Sequence, residues 1–442
     1  MEKLEKKLSG KTWLAIIIVS LVGQVAWAIE NNFFNLFIKD VFEANLSQIA
    51  LMVSVSAVAA TLTTLLIGAL SDKIGKRKLF ICIGYILWGI SIIIFAIMQS
   101  WSKHLESLMG ASAATIGVAL VIIFDCIMTF FGSSANDACF NAWLTDITDD
   151  SNRGKVEGVN AAMPLLSMLL VFGGAMFLSK ETGDGGVTYN YSVLFTIIGV
   201  VVILIGILNF FIIDEPVLEK NNESNYFKNI FHGFRPSIIK CKIILYLVLV
   251  TFGIFNISVQ VFMPYFVIYL SLLLGGNYVF IMAPAIVLAA IFTIVFGKII
   301  DKIGYIRSLP ISYGIYIVGL ILLTAFANVV CIFLGSLLMI AGFLSGNACF
   351  GAMIREKTPK KETGLFQGIR IVMQVLVPML IGPWIGSIIS SGGVDAGFGV
   401  VGDGYTPSSF IYLGGAVVSL LILIPYIFTI KALKKEKEDK TI

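Results

Sequence analysis

The chain has 442 residues, of which 58% are hydrophobic and 13% charged, with a mean hydropathy of +0.94 and a formal net charge of +4. Such a composition excludes a soluble globular protein and a nucleic-acid-binding surface, and it defines a polytopic membrane protein that lies in a lipid bilayer. The six cysteines, Cys82, Cys126, Cys139, Cys241, Cys331 and Cys349, sit in or beside apolar stretches with no CxxC spacing, so they suggest packing and no metal or disulfide framework.

A helix needs about 20 apolar residues to cross the hydrocarbon core. On that basis spans are expected at 12–38, 47–70, 79–99, 114–144, 157–179, 191–213, 241–273, 277–299, 308–327, 329–353, 365–389 and 408–430. The opening MEKLEKK and the AWA at 26–28 imitate a signal peptide, but the apolar run continues to Ile38, so it reads as the first transmembrane helix. With both termini inside, the inner segments hold 28 of the 31 basic residues, leaving Lys39, Lys103 and Lys180 outside. The expected organisation is therefore two six-helix bundles, 1–213 and 241–442, joined by a cytoplasmic loop, 214–240, in which Tyr226 to Phe234 suits a short surface helix.

An internal repeat supports the two halves. GALSDKIGKRK at 68–78 recurs as GKIIDKIGYIR at 297–307, and NDACFNA at 136–142 recurs as GNACFGA at 346–352. A shift of 230 places Gly23 on Gly253 and Glu30 on Gln260.

GALSDKIGKRK resembles the loop 2–3 motif of the major facilitator superfamily. The resemblance implies an all-α fold of twelve transmembrane helices in two pseudo-symmetric six-helix halves, and alternating access as the mechanism. It also implies a gate built on Gly68, Asp72, Gly75 and Arg77, repeated more weakly at Asp301 and Gly304. In such a gate Asp72 approaches the inner N-terminus of helix 11, where a carboxylate gains from free amides and the helix dipole. Asp301 would make the matching contact to helix 5.

Polar residues are sorted among the spans. Helices 3, 6, 9 and 12 are almost free of them, whereas helices 1, 4, 7 and 10 carry Gln24, Glu30, Asn31, Asn32, Asn35, Asp125, Asn136, Asp137, Asn141, Asn256, Gln260 and Asn347. Ionisable groups within a span default to a bundle interior or an aqueous path, because lipid exposure costs about 2.5–3.5 kcal/mol each. On a regular helical wheel Gln24, Asn31 and Asn35 form one stripe, with Trp27 and Glu30 to one side. At 1.5 Å per residue Glu30 lies about 7 Å outward of the midplane. Glu30 and Asp125 are the candidates for binding a coupling proton or sodium ion. Gln24, Trp27, Asn31, Asp137, Asn141, Asn256, Gln260 and Asn347 are the candidates for binding substrate.

DACFNAWLTDITDDSNRGKVEG at 137–158 is similar to the corresponding segment of glycoside-pentoside-hexuronide:cation symporters and sucrose-type carriers. The resemblance implies sugar contact at Asp137. The chain departs from that branch in having no acid at 50–70, where the sodium ligands would lie, and in having Asn160 near the place of an intramembrane arginine. A proton is therefore favoured over sodium. The expected function is cation-coupled symport of a sugar or glycoside by a monomeric, multi-pass cell-membrane protein with cytoplasmic termini. Proton-coupled efflux of an amphiphile is the alternative. No nucleotide loop, metal cluster or nucleophile-base pair suggests an enzyme, and no cofactor is implied.

Overall fold

The structure, a computed structural model, describes residues 8–149, 152–181, 187–215, 235–358, 368–392 and 402–439. The expected surface helix at Tyr226 to Phe234 lies outside the described residues. In lipid every backbone polar group must be satisfied within its own segment, so long apolar runs become helices. Among the described residues eleven helical runs are long and apolar enough to span a membrane. One of them, Ile243–Ile303, is two helices joined by a tight turn at Gly275–Asn277.

The spanning helices are α1 (Gly10–Phe42), α2 (Leu46–Ile74), α3 (Lys78–Met109), α4 (Ala113–Ile147), α5 (Arg153–Phe177) and α6 (Tyr191–Ile212). They continue with α7 (Ile243–Leu274), α8 (Tyr278–Ile303), α9 (Tyr305–Ala325), α10 (Val329–Lys357), α11 (Gly368–Ser391) and α12 (Phe410–Glu436). A small antiparallel hairpin, β1 (Ser179–Glu181) and β2 (Val187–Tyr189), joins α5 to α6.

α3 runs well past the expected residue 99. The stretch SWSKHLESLM contains no Gly or Pro, and the helix stops only at Gly110, whose φ of 53° belongs to the left-handed region. Lys103 and His104 are therefore on a helix, not in a loop.

The chain forms two compact units, one of Met1–Ala44 with Val55–Ser224 and the other of Asn45–Ser54 with Asn225–Ile442. In the first, Phe34, Phe37, Phe95 and Phe195 interlock α1, α3 and α6, with ring centroids 4.3 Å apart for Phe34 and Phe95 and 5.3 Å for Phe37 and Phe195. α6 shows Ile197, Leu204 and Phe211 at the surface, the last 71% exposed, while its one amide side chain, Asn209, is fully buried. An apolar outer face over a polar interior is the arrangement that lipid stabilises.

In the second unit, residues 45–54 are tied to α7 and α11. The Ser47 hydroxyl lies 2.9 Å from that of Ser387. Ser54 Oγ donates to Met379 O over 3.1 Å and accepts from Trp384 Nε1 over 3.1 Å. Tyr265 Oη bonds to Pro383 O over 2.7 Å and to Leu46 O over 3.2 Å.

Candidate functional site

α1 is not a uniform helix. Residues Ile29–Phe34 form a π-helical segment, and α4 contains another at Ser133–Phe140. A π segment adds a residue to a turn and shifts the helix phase, and such segments concentrate at functional sites. The regular wheel therefore fails beyond Ile29: Asn31 is exposed while Asn35, placed with it on one stripe by the sequence, is 2% exposed. Asn31, Asn32 and Asn35 each donate their amide Nδ2 to the carbonyl four residues earlier, over 2.8, 2.8 and 2.9 Å.

Glu30, inside the first π segment, faces α2 and α4. Its Oε1 accepts from Ser56 Oγ over 3.1 Å and from Thr129 Oγ1 over 2.9 Å, and the two hydroxyls are 2.7 Å apart. Asp125, one turn before Thr129 and 1% exposed, is close enough to interact electrostatically with Glu30. Glu30 Oε2 and Asp125 Oδ1 are buried without a hydrogen-bond partner among the described residues. A buried, unsatisfied oxygen is costly. Protonation would turn such a carboxylate into a donor.

Asp137 occupies the second π segment and belongs to a separate chain of bonds. Its Oδ2 accepts from Ser133 Oγ over 3.1 Å and its Oδ1 from Asn136 Nδ2 over 3.3 Å. Asn136 Oδ1 accepts from Tyr85 Oη over 3.1 Å, and that hydroxyl also lies 2.8 Å from Val19 O. Gly23 makes room for this network: a Cβ there would stand 2.5 Å from Asn136 Oδ1 and 2.6 Å from Tyr85 Oη. Trp27 packs on Trp88 with centroids 4.9 Å apart, and its indole comes near Asp137 without reaching hydrogen-bond geometry. Gln24 is half-buried on α1, and Asn141 is exposed, donating Nδ2 to Asp137 O over 3.1 Å.

In the second unit Asn256 is 8% exposed and donates to Phe252 O over 2.8 Å. Gln260 and Asn347 are half-buried on α7 and α10.

The loop motif ends α2 with Gly75 at φ 70°, a left-handed position that favours glycine. Ser71 Oγ donates to Gly68 O over 2.9 Å within the same turn. Arg77, whose side chain is 6% exposed, forms an ion pair with Asp72 and donates from Nε to Asp146 Oδ2 over 3.0 Å. Burial opposes the charge on Arg77, but the Asp72 and Asp146 carboxylates outweigh it and hold the guanidinium pKa above its ordinary value. Glu215 accepts from the Arg77 and Lys78 backbone amides, capping the start of α3.

The repeat copy is differently wired. Gly304 has φ 80°, Asp301 is exposed, and Tyr305 donates its hydroxyl to Glu356. Lys357 pairs with Glu436 over 2.9 Å. Glu356 escaped the sequence reading although the shift of 210 that relates the helix 4 and helix 10 repeats also carries Asp146 onto it. The inner end of helix 11 at 365–367, which Asp72 was expected to approach, lies outside the described residues.

The described residues form an almost wholly helical, multi-pass membrane protein with polar groups held inside its bundles, an architecture that suits a transporter. The model of the Major Facilitator Superfamily matches residues 15–350 and 289–441, and the chain belongs to that family. Its substrate is accordingly a small molecule carried across a membrane. No curated protein matches the chain in sequence. Among solved structures, it is similar to the nucleoside transporter NupG, at 12% identity and a TM-score of 0.68 over 96% of this chain and 100% of that one. It is also similar to the xylose transporter XylE from E. coli, at 16% identity and a TM-score of 0.63 over 93% and 97%. A bacterial homolog of the human lysosomal transporter Spinster gives 14% identity and a TM-score of 0.66 over 98% and 99%.

Proposed function

We propose that the protein carries a sugar, a glycoside or a comparably polar molecule together with a proton, by alternating access. The observation that carries the coupling reading is a proton deficit around Glu30. Three oxygen-oxygen contacts, Ser56–Glu30, Thr129–Glu30 and Ser56–Thr129, share two hydroxyl protons. A carboxyl proton on Glu30 supplies the third, and a proton on Asp125 removes the charge from a buried carboxylate whose Oδ1 has no partner among the described residues. Glu30 and Asp125 are thus the coupling pair.

Asp137, with Asn141, Gln24, Trp27 and Asn31 near it in sequence or on α1, is the substrate-binding set of the N-terminal half. Asn256, Gln260 and Asn347 serve the C-terminal half. The resemblance of residues 137–158 to sugar:cation symporters supports a sugar substrate, as do the names of similar structures, one of a D-xylose-proton symporter and one of a nucleoside transporter. Asp72 and Arg77 act in the inner gate, with Asp301 as the weaker partner motif. The distribution of Lys and Arg supports cytoplasmic termini in a cell membrane, and the internal repeat supports two six-helix bundles, 1–213 and 241–442, working as a monomer.

The test is uptake by purified protein in proteoliposomes of sugars, nucleosides and amphiphilic drugs, each with an imposed proton gradient, an imposed sodium gradient or none. Proton-driven accumulation of a polar probe is expected. Sodium-driven accumulation, or gradient-driven expulsion of the drugs alone, would replace this reading with sodium symport or with efflux.

A further inference from the structure

Helix 3 is almost without polar groups in the sequence, yet α3 sends one hydroxyl inward. Tyr85 is fully buried, and its Oη lies 2.8 Å from Val19 O on α1 and 3.1 Å from Asn136 Oδ1 on α4. Both are oxygens with no proton to give, so the phenol is the donor in either contact. Asn136, itself buried, turns its Nδ2 to Asp137 Oδ1 over 3.3 Å. One chain of bonds thus runs from α1 and α3 to the carboxylate on α4.

The proton count at Asp137 differs from that at Glu30. Each Asp137 oxygen has a donor of its own, Ser133 Oγ on Oδ2 and Asn136 Nδ2 on Oδ1. Such an environment fits an ionised carboxylate, which only accepts. A side-chain amide, however, can present either end. With its oxygen toward Asp137, Asn136 would set acceptor against acceptor; the Tyr85 proton on Oδ1 holds the amide the other way round. Without that proton a buried oxygen would be left unsatisfied, at its full desolvation cost. The surroundings are tight: a Cβ at Gly23 would stand 2.5 Å from Asn136 Oδ1 and 2.6 Å from Tyr85 Oη, and Trp88 lies edge-on to the Tyr85 ring with centroids 5.6 Å apart.

We infer that Tyr85, acting through Asn136, is a positioning residue for substrate binding: it fixes the amide that in turn fixes the Asp137 carboxylate. The inference rests on the reading of Asp137 as a substrate ligand. Asp137 keeps lone pairs beyond those used by Ser133 and Asn136, and these accept from hydroxyl groups of the cargo. Tyr85 is fully buried and does not touch the cargo itself. Because its hydroxyl meets α1 and α4 at once, the placing of the carboxylate depends on how those two helices pack.

The experiment is a double-mutant cycle of Tyr85→Phe with Asp137→Asn in the full-length protein in detergent. Binding of D-xylose, D-glucose and uridine is measured, and infrared spectra are taken without any probe. The cycle uses the probe that wild type binds most tightly. Tyr85→Phe should weaken binding by about three- to tenfold, the worth of one hydrogen bond. In the Asp137→Asn background the same change should matter by less than about twofold, because the group through which Tyr85 acts is already altered. Tyr85→Phe should also shift the infrared carboxyl band that Asp137→Asn removes. If Tyr85→Phe does not fold, Asn136→Leu takes its place, since it cuts the link and leaves Tyr85 with Val19 O as its partner.

Equal weakening by Tyr85→Phe in both backgrounds overturns the inference and keeps Asp137 as a substrate ligand, since a residue that only supports the fold acts whatever stands at 137. An unmoved Asp137 band overturns it as well. Wild-type affinity in Asp137→Asn, or no binding of any probe to wild type, removes the substrate reading and this inference with it, whether or not the band shifts.

Discussion

The hydroxyls of Ser56 and Thr129 stand 2.7 Å apart and both reach the same oxygen of Glu30. They come from α2 and α4 and close on a carboxylate set in a π turn of α1, so three helices meet at one acidic group. Glu30→Gln preserves the side chain's shape but removes the site for a proton. Gradient-driven accumulation should collapse to the equilibrium level in this variant, while exchange of substrate between equal pools continues. Undiminished accumulation in Glu30→Gln vesicles would remove Glu30 from coupling.

Asp137 is held by Ser133 and Asn136 and, among the described residues, shares no hydrogen bond with Glu30, which it reaches only electrostatically and more weakly than Asp125 does. Asp137→Asn should therefore weaken substrate affinity by about tenfold, the worth of one charge-assisted hydrogen bond, and leave the pH dependence of transport in place. Direct binding measurements across pH separate the two effects. Wild-type affinity in Asp137→Asn would sink the assignment.

Gly23 is where α1 comes closest to the Tyr85–Asn136 bond. Gly23→Val forces this contact apart and should cost about 1–3 kcal/mol, the usual penalty of overpacking. Thermal unfolding in detergent reads the loss, and an unchanged melting temperature would mean that α1 shifts freely at this point.

Ser47 and Ser387 lie near enough for a disulfide to replace their hydroxyl contact. With cysteine at both positions, mild oxidation should cross-link α2 to α11 and stop transport, and reduction should restore it. Full transport by the cross-linked protein would show that this contact need not open during the cycle.

Next to that contact, Asp403 Oδ1 accepts from the Tyr405 and Thr406 amides over 2.9 and 2.7 Å, and Gly404 O accepts from Leu46 N over 2.8 Å. The bonds from Thr406 depress the Asp403 pKa, with burial opposing weakly. A depressed folded pKa means that the turn's contribution is complete above the unfolded value of about 3.9 and is lost as pH falls through the folded one. Hydrogen exchange at Thr406 should thus be flat from neutral pH to about 5 once intrinsic rates are removed, and protection should fall only in stronger acid. Loss of protection already at pH 6 would contradict this.

The acids of the candidate site were legible in the sequence because charge inside an apolar span is rare. Their partners were not. Ser56 and Thr129 are ordinary residues in a membrane helix, and nothing local distinguishes them from hydroxyls that bond to their own backbone, as Thr64 does to Ala60 O. Glu356 is legible through the repeat, because the shift of 210 carries Asp146 onto it.

By itself the sequence determined the spans, their number and the two-fold repeat, because the cost of burying polar groups in lipid acts on composition and length alone. It also determined which helices carry charge, and through the motif around Asp72 the family. Only the tertiary structure decided which face each polar group takes. A π turn at Ile29–Phe34, and others in α4 and α11, change the helical phase by an amount that residue spacing does not encode. Position on a face then depends on packing from other helices, and that packing brought Ser56 and Thr129 to Glu30 and gave Asp72 to Arg77 within the same unit.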